Sequence, residues 1–274
     1  MRSFLLYFII FSILTAGTAK SQSSSETGSE KLQVLFDRLI NNYNDTDRIR
    51  INDSIILVLD GYVKSENIFS DRLTNLRYLG QITSPDSVVK IISWNLVLEN
   101  EPGRYFCYFI RKQLNDNENQ IYKLMAKYDA RPVETDTTYT RYNWYGALYY
   151  DLRPYEATNG RSWILLGIDF GNPDISRKII DVLNFNQDGS IIFGKKSFVS
   201  GDSIHYRTVF GYASNAMMSL RFKSDTAIVF DHLVPFSPGH SNDRQYYGPD
   251  YSFDSYSFEN GLWKLRFNVD ARNK

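Results

Sequence analysis

From about Ser84 to the C-terminus, apolar residues recur at every second position in one run after another. A period of two belongs to strands, whose successive side chains point to opposite faces. The cleanest runs are late. Met218, Leu220 and Phe222 oppose Ser219, Arg221 and Lys223, and Trp263, Leu265, Phe267 and Val269 oppose Lys264, Arg266 and Asn268. Such alternation marks strands with one wet face, hence antiparallel sheet. About twelve runs of this kind fit between Val88 and Val269, joined mostly by short turns. Asp188-Gly189 and Asn260-Gly261 supply the positive φ angles of tight hairpins, and Asn115–Asn119 reads as a longer hairpin tip. The expected domain is a mainly antiparallel β-meander over 84–274, sandwich or barrel-like. No fixed-period repeat occurs, so a regular propeller fits least.

Upstream the period is 3.6. Leu32, Leu35, Phe36, Leu39, Ile40 and Tyr43 form one stripe of an amphipathic helix. Asp45 or Thr46 caps a second helix carrying Ile49, Ile56, Leu59 and Val63. Ser70 caps a third, with Leu73, Leu76 and Leu79, ended by Gly80. Residues 31–80 therefore read as a helical subdomain whose stripes bury against the β-rich remainder, and the fold class is α+β.

The first residues read as an export leader. Arg2 is a short positive region, Phe4–Ala16 an apolar core, and Gly17, Thr18 and Ala19 fit signal-peptidase cleavage after Ala19. The apolar core is shorter than a membrane span. Lys20–Ser29 is Ser-rich and polar, so 20–30 reads as a flexible tether. The expected product of cleavage at 1–19 is a soluble periplasmic or extracellular protein with no stable membrane insertion. Cys107 is the sole cysteine, so no internal disulfide forms, and its place in the run Tyr105–Ile110 reads as a buried inert thiol.

The 31 basic side chains balance 31 acidic ones, which argues against a nucleic-acid binder. Gly201-Asp202-Ser203-Ile204 spells the nucleophile block of GDSL-type esterases but leads into a strand, not a helix. Asn184–Ile191 imitates the start of a calcium loop, yet Lys195 stands where the bidentate acid belongs. His205, His232 and His240 lack short metal-ligand spacing. No cofactor and no metal is expected.

With catalytic signatures missing and Tyr and Phe abundant (20 and 18 residues), the first expectation is a non-enzymatic binding or envelope-interaction module. Its partner would be a glycan, a peptide or another envelope component. The segment Asp231–Tyr251 reads as a long loop rich in Pro, Gly and Tyr, and places His232, Tyr246, Tyr247 and Asp250 as ligand-binding residues. The alternative is a hydrolase with an Asp/His site near Asp231 and His232. Asp169, Asp231 and His232 are then the catalytic candidates, because acids ending apolar strands supply acid–base chemistry when paired. A purely structural role is the third reading.

Ile92–Asn95 (ISWN), Ile179–Phe185 (IIDVLNF), Phe230–Leu233 (FDHL), Tyr246–Phe258 (YYGPDYSFDSYSF) and Val269–Lys274 (VDARNK) resemble a family of uncharacterised exported bacterial proteins, over roughly residues 84–274. The resemblance implies one structural unit over that span and carries no activity or site residues with it.

Overall fold

The computed structural model describes residues 24–113, 118–157 and 160–270. The leader expected at 1–19 and most of the hairpin tip at Asn115–Asn119 lie outside the described residues.

Two helices open the described chain. Helix α1 spans Ser24–Ile40 and buries Leu32, Phe36 and Leu39. It begins inside the segment read as a tether, so the helix continues upstream of its apolar stripe. Helix α2 spans Asp45–Tyr62 and buries Ile51, Ile55 and Leu59. Its cap is Asn44, whose side chain accepts from the Asp47 amide at 3.1 Å. Asp45 instead accepts from the amides of Glu99 and Asn100 at 2.9 and 2.8 Å, and these bonds hold its carboxyl below the usual carboxylate range.

The third helix expected after Ser70 does not form. Residues 71–79 run as an irregular strap with Leu73 and Leu79 buried. Side chains supply the partners a helix would have given: Gln81 bonds both the amide and the carbonyl of Leu73, and Ser29 accepts from Thr74. The spacing of three leucines carried the apolar signal but not the backbone.

Lys90 pins this strap. It is buried, and its ammonium donates to the carbonyls of Ile68 and Asp71 and to the Tyr62 hydroxyl. Burial pushes its pKa down to about 8. An unfolded lysine titrates near pH ~10.4, so between those values the unfolded chain holds more protons. Stability should therefore rise with pH from about 8 to about 10.4 through this group. Urea unfolding of the parent and of Lys90→Met at several pH values in that window tests it. Parallel profiles would show that Lys90 titrates normally.

Strands β1 (Gly80–Thr83), β2 (Val89–Leu96), β3 (Arg104–Arg111) and β4 (Gln120–Lys127) form a four-stranded antiparallel meander. Strands β5 (Tyr139–Thr140), β6 (Leu148–Ala157), β7 (Gly160–Asp169), β8 (Ile175–Phe185) and β9 (Ile191–Phe193) build a second sheet in the order β5-β9-β8-β7-β6. The chain then makes β10 (Phe198–Ser200) and β11 (Ser203–His205) of a third sheet. It returns to add β12 (Thr208–Ala213) to β8, and finishes the third sheet with β13 (Leu220–Ser224), β14 (Ala227–Pro235), β15 (Tyr247–Glu259) and β16 (Leu262–Arg266). All pairings are antiparallel except β10 with β16. The product is a stack of open sheets under a helical layer, with no closed barrel or propeller among the described residues.

Three cores separate the layers. Trp94, Phe106 and Tyr108 turn one face of the first sheet to the helices, and Asn52 accepts from the Trp94 indole at 2.9 Å. The other face, with Tyr105, Cys107 and Phe109, meets Trp163, Leu165 and Ile179 of the second sheet. The reverse of that sheet, with Ile164, Ile180 and Val182, meets Phe230, Tyr256 and Trp263 of the third. The middle sheets are thus covered on both sides. That is why β3, β7 and β8 read as continuous apolar runs and not as alternations. Cys107 lies inside the second core, where burial pushes its thiol pKa up.

Pro154 sits in β6, an edge strand, where its missing amide leaves no ladder bond unmade. Asp188-Gly189 forms the turn between β8 and β9, with Gly189 at φ 80°.

Candidate functional site

The segment Asp231–Tyr251 is not one long loop. Strand β14 runs on to Pro235 and pairs with β15 from Tyr247, so the connection shortens to 236–246, with short 3-10 turns at Pro238–His240 and Arg244–Tyr246. The sequence misled because Pro235 and Pro249 read as breakers, yet both stand within these paired strands.

The pairing is interrupted at one place. Asp231 opposes Phe253 and Leu233 opposes Pro249, so His232 alone faces Asp250, Tyr251 and Ser252. This bulge on β15 re-aims the side chains around it. Asp250 closes the bulge by accepting from the Ser252 amide at 2.9 Å and hydroxyl at 2.7 Å. Those bonds, with a smaller contribution from His232, hold its carboxyl below the ordinary range.

His232 bonds through Nδ1 to Asp254 Oδ2 at 2.7 Å. The Asp254 carboxyl is almost fully buried, and its other oxygen accepts from the Asn268 amide at 3.1 Å. A carboxylate oxygen accepts, so the bond takes the Nδ1 proton, fixes the ring's orientation and leaves Nε2 without a bond to Asp254. The imidazole lines a cleft of about 240 Å³ between β12 and the third sheet. Thr208, Phe210 and Gly211 form one wall, and Phe230, Tyr256, Leu265 and Phe267 much of the other. Asp231, Asp254 and Arg244 also line it, with the hydroxyl residues Ser200 and Thr208. The Thr208 hydroxyl bonds that of Tyr256 at 3.2 Å.

The other expected site residues fall as follows. Asp231 shares the cleft, with one carboxylate oxygen taken by the Ser219 amide at 2.7 Å. Asp250 is on the bulge beside it. Tyr246 lies outside, its ring tilted by 35° against that of His240 with centroids 4.1 Å apart. Tyr247 is buried in the third core, and its hydroxyl donates to the Ser241 carbonyl. The Arg244 guanidinium lies over the Tyr247 ring, 4.2 Å from its centroid. Asp169 lines a different cavity, of about 350 Å³, together with Asp129 and Trp144. There it is buried against Arg177 at 2.7 Å, and accepts from the Tyr105 hydroxyl at 2.9 Å and the Gly171 amide at 2.7 Å. Asp169 therefore does not join Asp231 and His232.

Asp254 was the residue missed. Its signal was present: it shares parity with Tyr256 on the inward face of β15, and an acid on the apolar parity of a strand demands a partner. Ser203, in the GDSI spelling, stands at the start of β11 and is exposed. Among the described residues no group of three or more His, Cys, Asp or Glu side chains is placed to hold a metal ion. Comparison with protein-family models, with curated proteins and with solved structures returns no match.

Proposed function

We propose that the protein is an exported, non-enzymatic binding module whose ligand seat is the cleft at His232. The observation that carries this reading is the His232–Asp254 pair at 2.7 Å, an oriented imidazole on a β-bulge beside an apolar-walled cleft. A small number of fixed polar groups among rings is the usual make-up of a ligand site. Glycans, peptides and other envelope components remain the partner classes that suit rings mixed with donors and acceptors. Export rests on the leader at 1–19. Among the described residues no helix is long and apolar enough to cross a membrane.

A screen of glycans and peptidoglycan fragments against the purified protein, run beside generic esterase and glycosidase assays, tests the reading. His232→Gln should weaken binding of any hit about tenfold, the order expected for losing one hydrogen bond to a polar ligand. Because the change takes the Nδ1 partner from the almost fully buried Asp254 carboxylate, folding stability should fall by about 1–3 kcal/mol, and binding is compared at a temperature where the variant is folded.

One observation favours a hydrolase instead. The hydroxyl groups of Ser200 and Thr208 share the cleft with the oriented imidazole, and an Asp–His pair near a hydroxyl is the arrangement of nucleophilic catalysis. Turnover that disappears in His232→Gln would establish that alternative. Neither binding nor turnover would leave a structural role.

A further inference from the structure

Tyr251 occupies a backbone conformation that suits it poorly. Its φ is 70°, in the left-handed region, at the centre of the bulge facing His232. The other non-glycine residues there, among the described residues, are Asn75, Asn260, Asn268 and Ser87. These are small polar side chains, and asparagine in particular tolerates this region. A large aromatic side chain is a true outlier. The ring recovers nothing through packing, because Tyr251 is 94% exposed. A strained residue is retained when the surroundings over-determine it, and such residues gather at ligand clamps.

We infer that Tyr251 is a stacking platform for a sugar ring, with the polar rim of the same glycan reaching His232 and Asp250. This rests on the cleft being the binding seat. A pyranose offers an apolar C–H face to an aromatic ring and a rim of hydroxyls to acceptors and donors. The bulge supplies both at neighbouring positions: a solvent-facing ring at Tyr251, a carboxylate at Asp250 and an imidazole across from them.

The test uses N-acetylated chitotetraose as the probe, titrated by calorimetry into the full chain after leader removal. Tyr251→Gly should raise the melting temperature by roughly 2 °C, since glycine accepts the left-handed conformation freely. The same change should weaken binding about tenfold, whereas Tyr251→Phe should bind like the parent. Unchanged affinity in Tyr251→Gly overturns the platform. If His232→Gln still loses binding in that case, the cleft stands without it. Loss in Tyr251→Gly with full binding in His232→Gln keeps the platform and removes the cleft as the seat. A parent protein that does not bind the probe overturns the glycan assignment.

Discussion

Replacing Arg207 with Met should cost about 3–5 kcal/mol of folding stability, the range for removing one partner of a buried ion pair. The Arg207 and Asp181 side chains are both fully buried, with Nε donating to Oδ2 at 3.0 Å. Every face of the guanidinium is used. It donates to the carbonyls of Thr137 at 2.9 Å and Phe193 at 3.2 Å, and to that of Glu134. Its central carbon lies over the Tyr139 ring, 4.6 Å from the centroid. Even the backbone makes room: a Cβ on Gly194, which has φ 95°, would fall 2.5 Å from Nη2. Asp181 also accepts from the Tyr145 hydroxyl at 2.8 Å and the Val182 amide at 2.7 Å. Burial drives its pKa up, and Arg207 is the charge that opposes this. Without Arg207 the carboxylate is stranded in the interior. A second change, Asp181→Leu, made on top of Arg207→Met should recover most of the loss, because two apolar groups replace the pair without orphaning a charge. Urea unfolding of the parent, single and double variants gives the cycle. A single variant within about 1 kcal/mol of the parent would mean the pair is not what holds 134–137 to the second sheet. The effect should also reach the cleft. Arg207 immediately precedes β12, whose Thr208 and Phe210 form one cleft wall. Ligand affinity in the single variant should fall even where the protein remains folded.

That ion pair illustrates what the sequence does not reveal. Asp181 interrupts the apolar run of β8 and is visible as an anomaly, but nothing in local spacing points to Arg207, 26 residues away. Periodicity reports which face a side chain takes, not what stands opposite. For the same reason the late strands were legible as strands with one polar face, though not in their ends: β13 starts at Leu220 and β16 stops at Arg266, so Phe267, read onto the apolar face, is exposed. Strands β7 and β8 were legible only as strands, because apolar residues on both faces erase the alternation that would say which sheet they meet. The helical stripe after Ser70 shows the reverse error. Leu73 and Leu79 are buried as their spacing demands, yet side-chain hydrogen bonds from Gln81 and Ser29 make a strap preferable to a helix. At the candidate site, His232 and Asp231 could be picked from composition. Asp254 could not be joined to His232 without the register of β14 on β15, and that register depends on the bulge. Tyr251 was visible as one more aromatic residue, and its significance comes from a φ angle that no sequence pattern prints.

Tyr246 and Tyr247, neighbours in sequence, should respond oppositely to truncation. Tyr247→Ala should lose roughly 3–5 kcal/mol, the usual cost of removing a core aromatic ring. Tyr246→Ala should lose less than about 1 kcal/mol. The difference follows from the strand start at Tyr247, which turns that ring inward. Tyr247 is 8% exposed within the third core, whereas Tyr246 is 38% exposed and touches His240. Thermal melts of the two variants make the comparison directly. Tyr247→Phe refines it: the ring stays, and only the hydroxyl bond to the Ser241 carbonyl goes, at a cost near 1 kcal/mol. The ring has a second duty, because Arg244 rests on its face and reaches the cleft from there. Tyr247→Phe should therefore bind ligand like the parent. Tyr247→Ala, measured at a temperature where it is folded, should bind more weakly through a displaced Arg244. Should Tyr247→Ala melt with the parent, the connection 236–246 is held by something other than that ring. Should it be unstable yet bind normally, Arg244 takes no part in recognition, and the polar end of the cleft reduces to His232, Asp231 and Asp254.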